Sequence, residues 1–119
     1  ECDEIASALD VLAAAGCREL VLLHCVSSYP TPIHEANLLA IRTLAKQFGA
    51  PVGYSDHTTD LVTGQLAVQV GACALEKRFT LDPTMAGPDH AFSLRPVELE
   101  VRFEADDSAS VKASFSLIV

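Results

Sequence analysis

Basic residues are scarce in this chain. Against 16 Asp and Glu it sets only 8 Lys and Arg, for a formal net charge of -8. Phosphate contacts need a basic face, so nucleic acid and anionic membrane are disfavoured as main partners. Nowhere does an apolar run approach the roughly 20 residues of a spanning helix. No charged leader with a short apolar core opens the sequence, so no secretory signal is expected. The cysteines, Cys2, Cys17, Cys25 and Cys73, contain no C-x-x-C pair, which removes the zinc-ribbon and thioredoxin motifs. A Gly-x-Gly-x-x-Gly or P-loop phosphate cradle is also missing. What is present is globular: half of the 119 residues are apolar and a fifth are charged, enough for one domain with a modest core. The expectation is a soluble, cytoplasmic protein in which Cys25 and Cys73 are buried free thiols.

Along the chain the apolar period alternates. Ile5, Leu9 and Leu12 have helical spacing, and Gly16 follows as a stop. Residues 19–26 form a continuous apolar run that suits a strand buried on both faces. Pro30 and Pro32 then force a loop. Residues 36–48 return to helical spacing through Leu38, Ile41, Leu44 and Phe48, and Gly49 ends this second helix. A strand at 51–55, a helix at 61–70 ended by Gly71, a strand at 74–79, a polar loop at 82–93 and a helix starting near Pro96 complete the pattern. An α-β-α-β-α-β-α order with short connections implies parallel strands covered by helices. In such folds chemistry gathers at the carboxyl ends of the strands. Here those ends are polar: Ser27 to Tyr29, Ser55 to His57, and Glu76 to Thr80. The stretch 104–119 has no clear helical period; its Ser/Ala/Asp mixture resembles a linker ending in a short apolar run, and it reads as a divergent tail of uncertain structure. Three strands do not close a barrel, so composition allows a small open sheet or a piece of a larger barrel.

Three clusters merit weighing. Alternation sends Glu76 and Arg78 to one face of their strand and Lys77 to the other. An inward carboxylate is costly unless paired or used, so Glu76 reads either as a salt-bridge partner of Arg78 or as a site residue. His57 is able to bind a metal through a neutral imidazole with Asp56 orienting it, or it ends a plain Asp/Ser turn. A hydrolase triad from Ser55, Asp56 and His57 is disfavoured, because strand neighbours point to opposite faces. Asp89 and His90, after Gly87-Pro88, are rim ligands or turn residues. His24, in an apolar run, reads as a satisfied core histidine. His34 sits in a loop with no identifiable partner.

Four segments, His24-Cys-Val-Ser-Ser-Tyr-Pro-Thr-Pro32, Gly53-Tyr-Ser-Asp-His-Thr58, Leu75-Glu-Lys-Arg-Phe-Thr-Leu-Asp82 and Gly87-Pro-Asp-His90, closely resemble the sialic acid synthase family. That family includes N-acetylneuraminate synthase, its legionaminic and pseudaminic acid relatives and spore-coat polysaccharide homologues. The likeness spans about residues 3–100. It implies an α/β fold, a fragment of a (β/α)8 TIM barrel comprising about three parallel βα units with flanking helices, the last three strands of the barrel. It divides the chain into partial barrel, 1–103, and tail, 104–119.

The resemblance also implies an activity. Phosphoenolpyruvate condenses with an N-acetylmannosamine-type sugar to give a nine-carbon 2-keto acid and phosphate, and a divalent Mn²⁺ or Mg²⁺ polarises the open-chain aldehyde. Carried over by position, Glu76 and Tyr29 are catalytic. Ser27, Tyr29, Ser55 and Asp89 bind substrates, and His57 is a metal ligand. Three departures bear on this. Where the family usually carries a second ligand histidine, this chain has Arg78. A guanidinium has no free lone pair and repels a cation, so metal binding is expected to be weakened or absent, with Arg78 reaching Glu76 or a substrate anion. The resemblance also implies earlier strands, with lysines and a glutamate that bind phosphoenolpyruvate, and a C-terminal antifreeze-like domain, none of which falls within these 119 residues. The 119-residue chain alone is therefore expected to be inactive. The alternative reading is a non-catalytic sugar-binding or assembly module derived from the same barrel. Open strand edges and an uncovered apolar face predict a homo-oligomer.

Overall fold

The computed structural model describes residues 2–98 and 112–117 of the chain. Its order is α1 (Cys2–Ala14), β1 (Leu22–Cys25), α2 (Ala40–Phe48), β2 (Val52–Asp56), α3 (Val62–Gln69), β3 (Ala74–Phe79) and β4 (Lys112–Leu117). Short 3₁₀ turns lie at Ile33–Glu35 and His90–Phe92. The sheet runs β1-β2-β3-β4 with every pair parallel. Each β-to-β crossover from β1 to β3 passes through a helix, as parallel neighbours require. Residues 96–98 are helical, in line with the start expected at Pro96.

The core lies on one side of the sheet. Ile41 of α2, Ala67 of α3, and Val52 and Tyr54 of β2 bury fully with Ala72, and Leu22, Leu38, Leu44, Val70 and Leu75 pack around them. Gly49 ends α2 in the left-handed region (φ 62°), its N–H bonding the Ala45 carbonyl. That conformation favours glycine. His24 is a satisfied, half-buried histidine: its Nε2 lies 2.9 Å from the Ala36 carbonyl and its ring stacks on Tyr54.

Three expectations change. β1 is not covered on both faces; its residues alternate between half-buried and exposed. β1 forms the edge of the described sheet, and helices cover only one side of it. For the same reason Cys25 is exposed; Cys73, just ahead of β3, is half-buried, and both are free thiols. In the tail, 112–117 pair with β3 in register from Ala74↔Lys112 to Phe79↔Leu117. The rest of 104–119 lies outside the described residues.

The second face of the sheet carries Leu23, Cys25, Gly53, Ser55, Ala74, Glu76 and Arg78, by alternation along paired strands. Toward the carboxyl ends this face turns polar, and the site begins there.

Candidate functional site

Parallel register is what assembles the site. Cys25 pairs with Ser55, and Ser55 with Glu76, so the ends of β1, β2 and β3 stand level. Ser55 is buried and donates its hydroxyl proton to Glu76 Oε1 at 2.6 Å. The loop after β1 is tied to the end of β2 by the Thr31 N–H, which bonds the His57 carbonyl at 2.8 Å. A cis Tyr29–Pro30 peptide lies in this loop. Tyr29 reaches across to His57, with its Oη 2.5 Å from Nε2 and the two rings stacked at 3.9 Å between centroids. Phe92 supports the Tyr29 ring at 5.8 Å.

The tautomer of His57 follows from its neighbours. Nδ1 sits 2.6 Å from the Val26 carbonyl, which can only accept, so Nδ1 carries the proton. Nε2 is then the acceptor. It receives the Tyr29 hydroxyl and lies 3.1 Å from Ser55 Oγ.

Arg78 projects into the same pocket. Its NH1 pairs with Asp89 Oδ2 at 2.6 Å and its NH2 donates to Tyr29 Oη at 3.2 Å. The guanidinium also lies 4.8 Å over the Tyr29 ring. The Tyr29 hydrogen bond, with Asp89 and Glu76 nearby, holds its charge more firmly than an ordinary arginine. Arg78 Nε is buried and, among the described residues, has no partner.

The far side of the strands carries a separate arrangement. Asp56 and Lys77 point to the helix side and pair at 3.2 Å with both side chains almost fully buried. Lys77 Nζ also donates to the Thr58 carbonyl. Asp56 accepts from the Thr58 N–H and hydroxyl. Two readings are corrected here. Asp56 does not orient His57, because alternation places it on the opposite face; the backbone carbonyl of Val26 does. And the ion pair of Arg78 is with Asp89, not Glu76, because Asp89 approaches from the loop beyond β3 while the Glu76 carboxylate takes the Ser55 proton.

The structure therefore brings Tyr29, Ser55, His57, Glu76 and Asp89 together around Arg78. Ser27 is exposed and does not line this pocket. His90 is buried in the 3₁₀ turn, its Nδ1 2.7 Å from the Thr80 hydroxyl. His34 is exposed beside Glu35. The Val26 carbonyl and Phe92 are site neighbours that the sequence does not flag. A backbone carbonyl carries no side-chain signal, and Phe92 has no motif around it.

Among the described residues, the donors around His57 do not by themselves suit a divalent cation. The only free lone pair of His57 faces Tyr29 and Ser55, and a fixed guanidinium occupies the adjacent strand position. Among the described residues no group of three His, Cys, Asp or Glu side chains is placed to hold a metal ion.

Comparison with known proteins decides the family. The NeuB family model matches residues 1–110. The chain belongs to the NeuB family. It is 53% identical over 97 residues to MJ1065 of Methanocaldococcus jannaschii, covering 82% of this chain and 29% of that protein. It is 48% identical over 100 residues to N,N'-diacetyllegionaminic acid synthase of Campylobacter jejuni, covering 82% and 30%. The crystal structure of the spore coat polysaccharide biosynthesis protein spsE of Bacillus subtilis superposes with a TM-score of 0.83 at 36% identity, over 87% of this chain and 30% of that one. This NeuB-family chain is a fragment of a (β/α)8 barrel, and it spans about 30% of the length of the curated relatives it matches. Relatives in the family are named as sugar acid synthases. Among the described residues, no helix is long and apolar enough to cross a membrane.

Proposed function

We propose that this segment supplies part of the active rim of a synthase that joins phosphoenolpyruvate to N-acetylmannosamine or a related amino sugar. One observation carries the reading: Ser55, Glu76 and Arg78 from the ends of β2 and β3, and Tyr29, His57 and Asp89 from the segments that follow β1, β2 and β3, form one connected polar network. A merely structural rim has no need of a carboxylate, a phenol, an imidazole and a guanidinium in mutual contact.

The chemistry asks for acid, base and charge stabilisation. The methylene carbon of phosphoenolpyruvate bonds to the aldehyde carbon, and the carbonyl electron pair moves onto the aldehyde oxygen. Water adds at the enol carbon, the bond to phosphate breaks, and the keto group forms. Glu76 accepts the proton of that water, while Tyr29 supplies the proton that the new alkoxide needs. Ser55 and His57 bridge these two groups. Asp89 holds Arg78 and accepts from sugar hydroxyls. Ser27, exposed on the β1 loop, contacts substrate from outside the pocket.

The test is a graft. Residues 2–98 replace the aligned segment of the Campylobacter jejuni N,N'-diacetyllegionaminic acid synthase, and phosphate release from phosphoenolpyruvate is followed with amino-sugar acceptors. The expected result is acceptor-dependent release, with a loss on the order of a hundredfold or more for Glu76→Gln in the graft. A folded graft without turnover on any acceptor would overturn the reading. The 119-residue chain by itself is expected to release none, because three strand ends do not enclose two substrates.

A further inference from the structure

We propose that His90 is a positioning residue of this rim: pinned to Thr80, it holds the turn that delivers Asp89 to Arg78 and Phe92 to Tyr29. This rests on the synthase reading above, in which Asp89 accepts from sugar hydroxyls.

The loop after β3 leaves the sheet and returns to it at one point. Phe79 and Leu94 form a parallel bridge. The Leu94 N–H bonds the Arg78 carbonyl at 2.9 Å, and the Thr80 N–H bonds the Leu94 carbonyl at 2.8 Å. Residues 80–94 are thus an excursion with a closed base. Inside it, His90 Nδ1 lies 2.7 Å from Thr80 Oγ1, and the Asp82 N–H donates to the same hydroxyl at 3.3 Å. His90 is 2% exposed and Thr80 fully buried. Gly87 closes over the imidazole: a Cβ there would stand 2.8 Å from His90 Cδ2. On the other side of the turn the Ser93 hydroxyl donates to the Asp89 carbonyl at 2.7 Å.

Two adjacent residues of the turn therefore meet two positions of one strand end. His90 meets Thr80, and Asp89 meets Arg78 two residues earlier. The two contacts are unequal. The ion pair is partly solvated, with the Arg78 side chain 34% and the Asp89 side chain 22% exposed. Water and salt compete for both of its charges, so such a pair fixes little geometry by itself. The His90 contact is out of reach of water, and a buried polar group that loses its partner finds no replacement. The buried contact is the anchor, and the exposed pair follows from it. Phe92, on the same turn, packs 5.8 Å from the Tyr29 ring, over which the Arg78 guanidinium also lies. One pin thus sets two contacts that reach residues of different strand ends. All of its partners belong to this chain.

The experiment follows Arg78 Nε–H, which is buried in the rim and exchanges with solvent only when the rim opens. Thr80→Val removes the hydroxyl at nearly constant volume. His90→Phe keeps a ring and loses its nitrogen, and His90→Asn keeps a polar atom near the place of Nδ1. In the 119-residue chain, Thr80→Val and His90→Phe are each expected to speed Nε–H exchange by about tenfold or more, as the loss of a buried hydrogen bond does. The double variant is expected to go no further than either, because both remove one contact. His90→Asn is expected to restore most of the protection, and the amides of β2 to keep their wild-type rates in all four. Unchanged Nε–H exchange in Thr80→Val overturns the proposal. So does an equal acceleration of the β2 amides, which would make the contact one of general stability. So does a His90→Asn variant that exchanges as fast as His90→Phe. Should His90→Phe lose the wild-type amide spectrum, Thr80→Val alone decides. The exchange measurement uses no substrate, so its failure is separable from failure of the graft. In the graft, Thr80→Val is expected to raise KM for the amino sugar by about tenfold and to leave KM for phosphoenolpyruvate where it was, since Asp89 touches only the sugar. An unmoved sugar KM, or an equal rise for both substrates, overturns the link from His90 to the sugar.

Discussion

Lys77 shows how one residue positions a site it never enters. Its neighbours Glu76 and Arg78 face the pocket, while Lys77 is turned to the helix side and buried against Asp56. From there it holds the Thr58 carbonyl, and Asp56 holds the Thr58 N–H and hydroxyl. Thr58 follows His57 directly, so this pair fixes the backbone from which the imidazole projects. The pair itself is weak evidence of stability, because desolvation offsets its attraction. Breaking it is another matter. Lys77→Ala leaves the Asp56 carboxylate buried without its cation and is expected to cost about 3–5 kcal/mol in urea unfolding. It should also broaden the His57 imidazole resonances. A cost below about 1 kcal/mol would mean that the pair is solvated and positions nothing.

At the scale of elements, β2 has no slack. All five of its residues are buried, and Gly53 lies between its two neighbouring strands. A Cβ at Gly53 would stand 2.6 Å from Leu23 Cδ2 and 2.7 Å from the Ala74 carbonyl oxygen. The leucine tip is able to turn away, but the carbonyl belongs to the backbone of β3. Gly53→Ala is therefore expected to destabilise by about 1–3 kcal/mol in denaturant unfolding, the usual range for overpacking. It should also lengthen the Ser55–Glu76 hydrogen bond, which spans the same two strands.

Much of this architecture is legible in the chain. The span of β3 and the stops at Gly49 and Gly71 follow from period and punctuation, and β2 and α3 lie within a residue of the expected bounds. Alternation alone separates Glu76 and Arg78 from Lys77. Other features are not legible, for physical reasons. Asn37 adopts positive φ and the chain turns through a 3₁₀ segment, so α2 begins at Ala40 rather than 36. An apolar run gives no sign of whether both faces will be covered, which is why β1 reads as more buried than it is. β4 does alternate, Ala113, Phe115 and Leu117 against Lys112, Ser114 and Ser116, but the signal is short and follows a Ser/Ala/Asp stretch that reads as linker. At the site, the Arg78–Asp89 pair joins a strand to a loop 11 residues on, and the partner of His57 Nδ1 is a backbone carbonyl. Neither has a spacing to read.

The whole molecule leaves much apolar surface in water. Leu23 is 42% exposed on the face opposite the helices, Cys25 beside it is exposed, and β1 presents an edge among the described strands. α1 buries none of its residues, and Val11 is 69% exposed. An unpaired parallel edge beside uncovered leucine is a surface that pairs with another chain. The chain is expected to self-associate in a concentration-dependent way in sedimentation velocity. Leu23→Lys places a charge on both the face and the edge while leaving the helix-side core untouched. It should weaken association by about tenfold or more, since burying one leucine contributes roughly 1.5–3 kcal/mol. A folded chain that sediments as an ideal monomer across a hundredfold range of concentration, on the order of micromolar to millimolar, would show that this face is covered by its own surroundings. The exposed leucine would then have to be explained by contacts within the chain, and the polar rim above it would no longer share its open side with solvent.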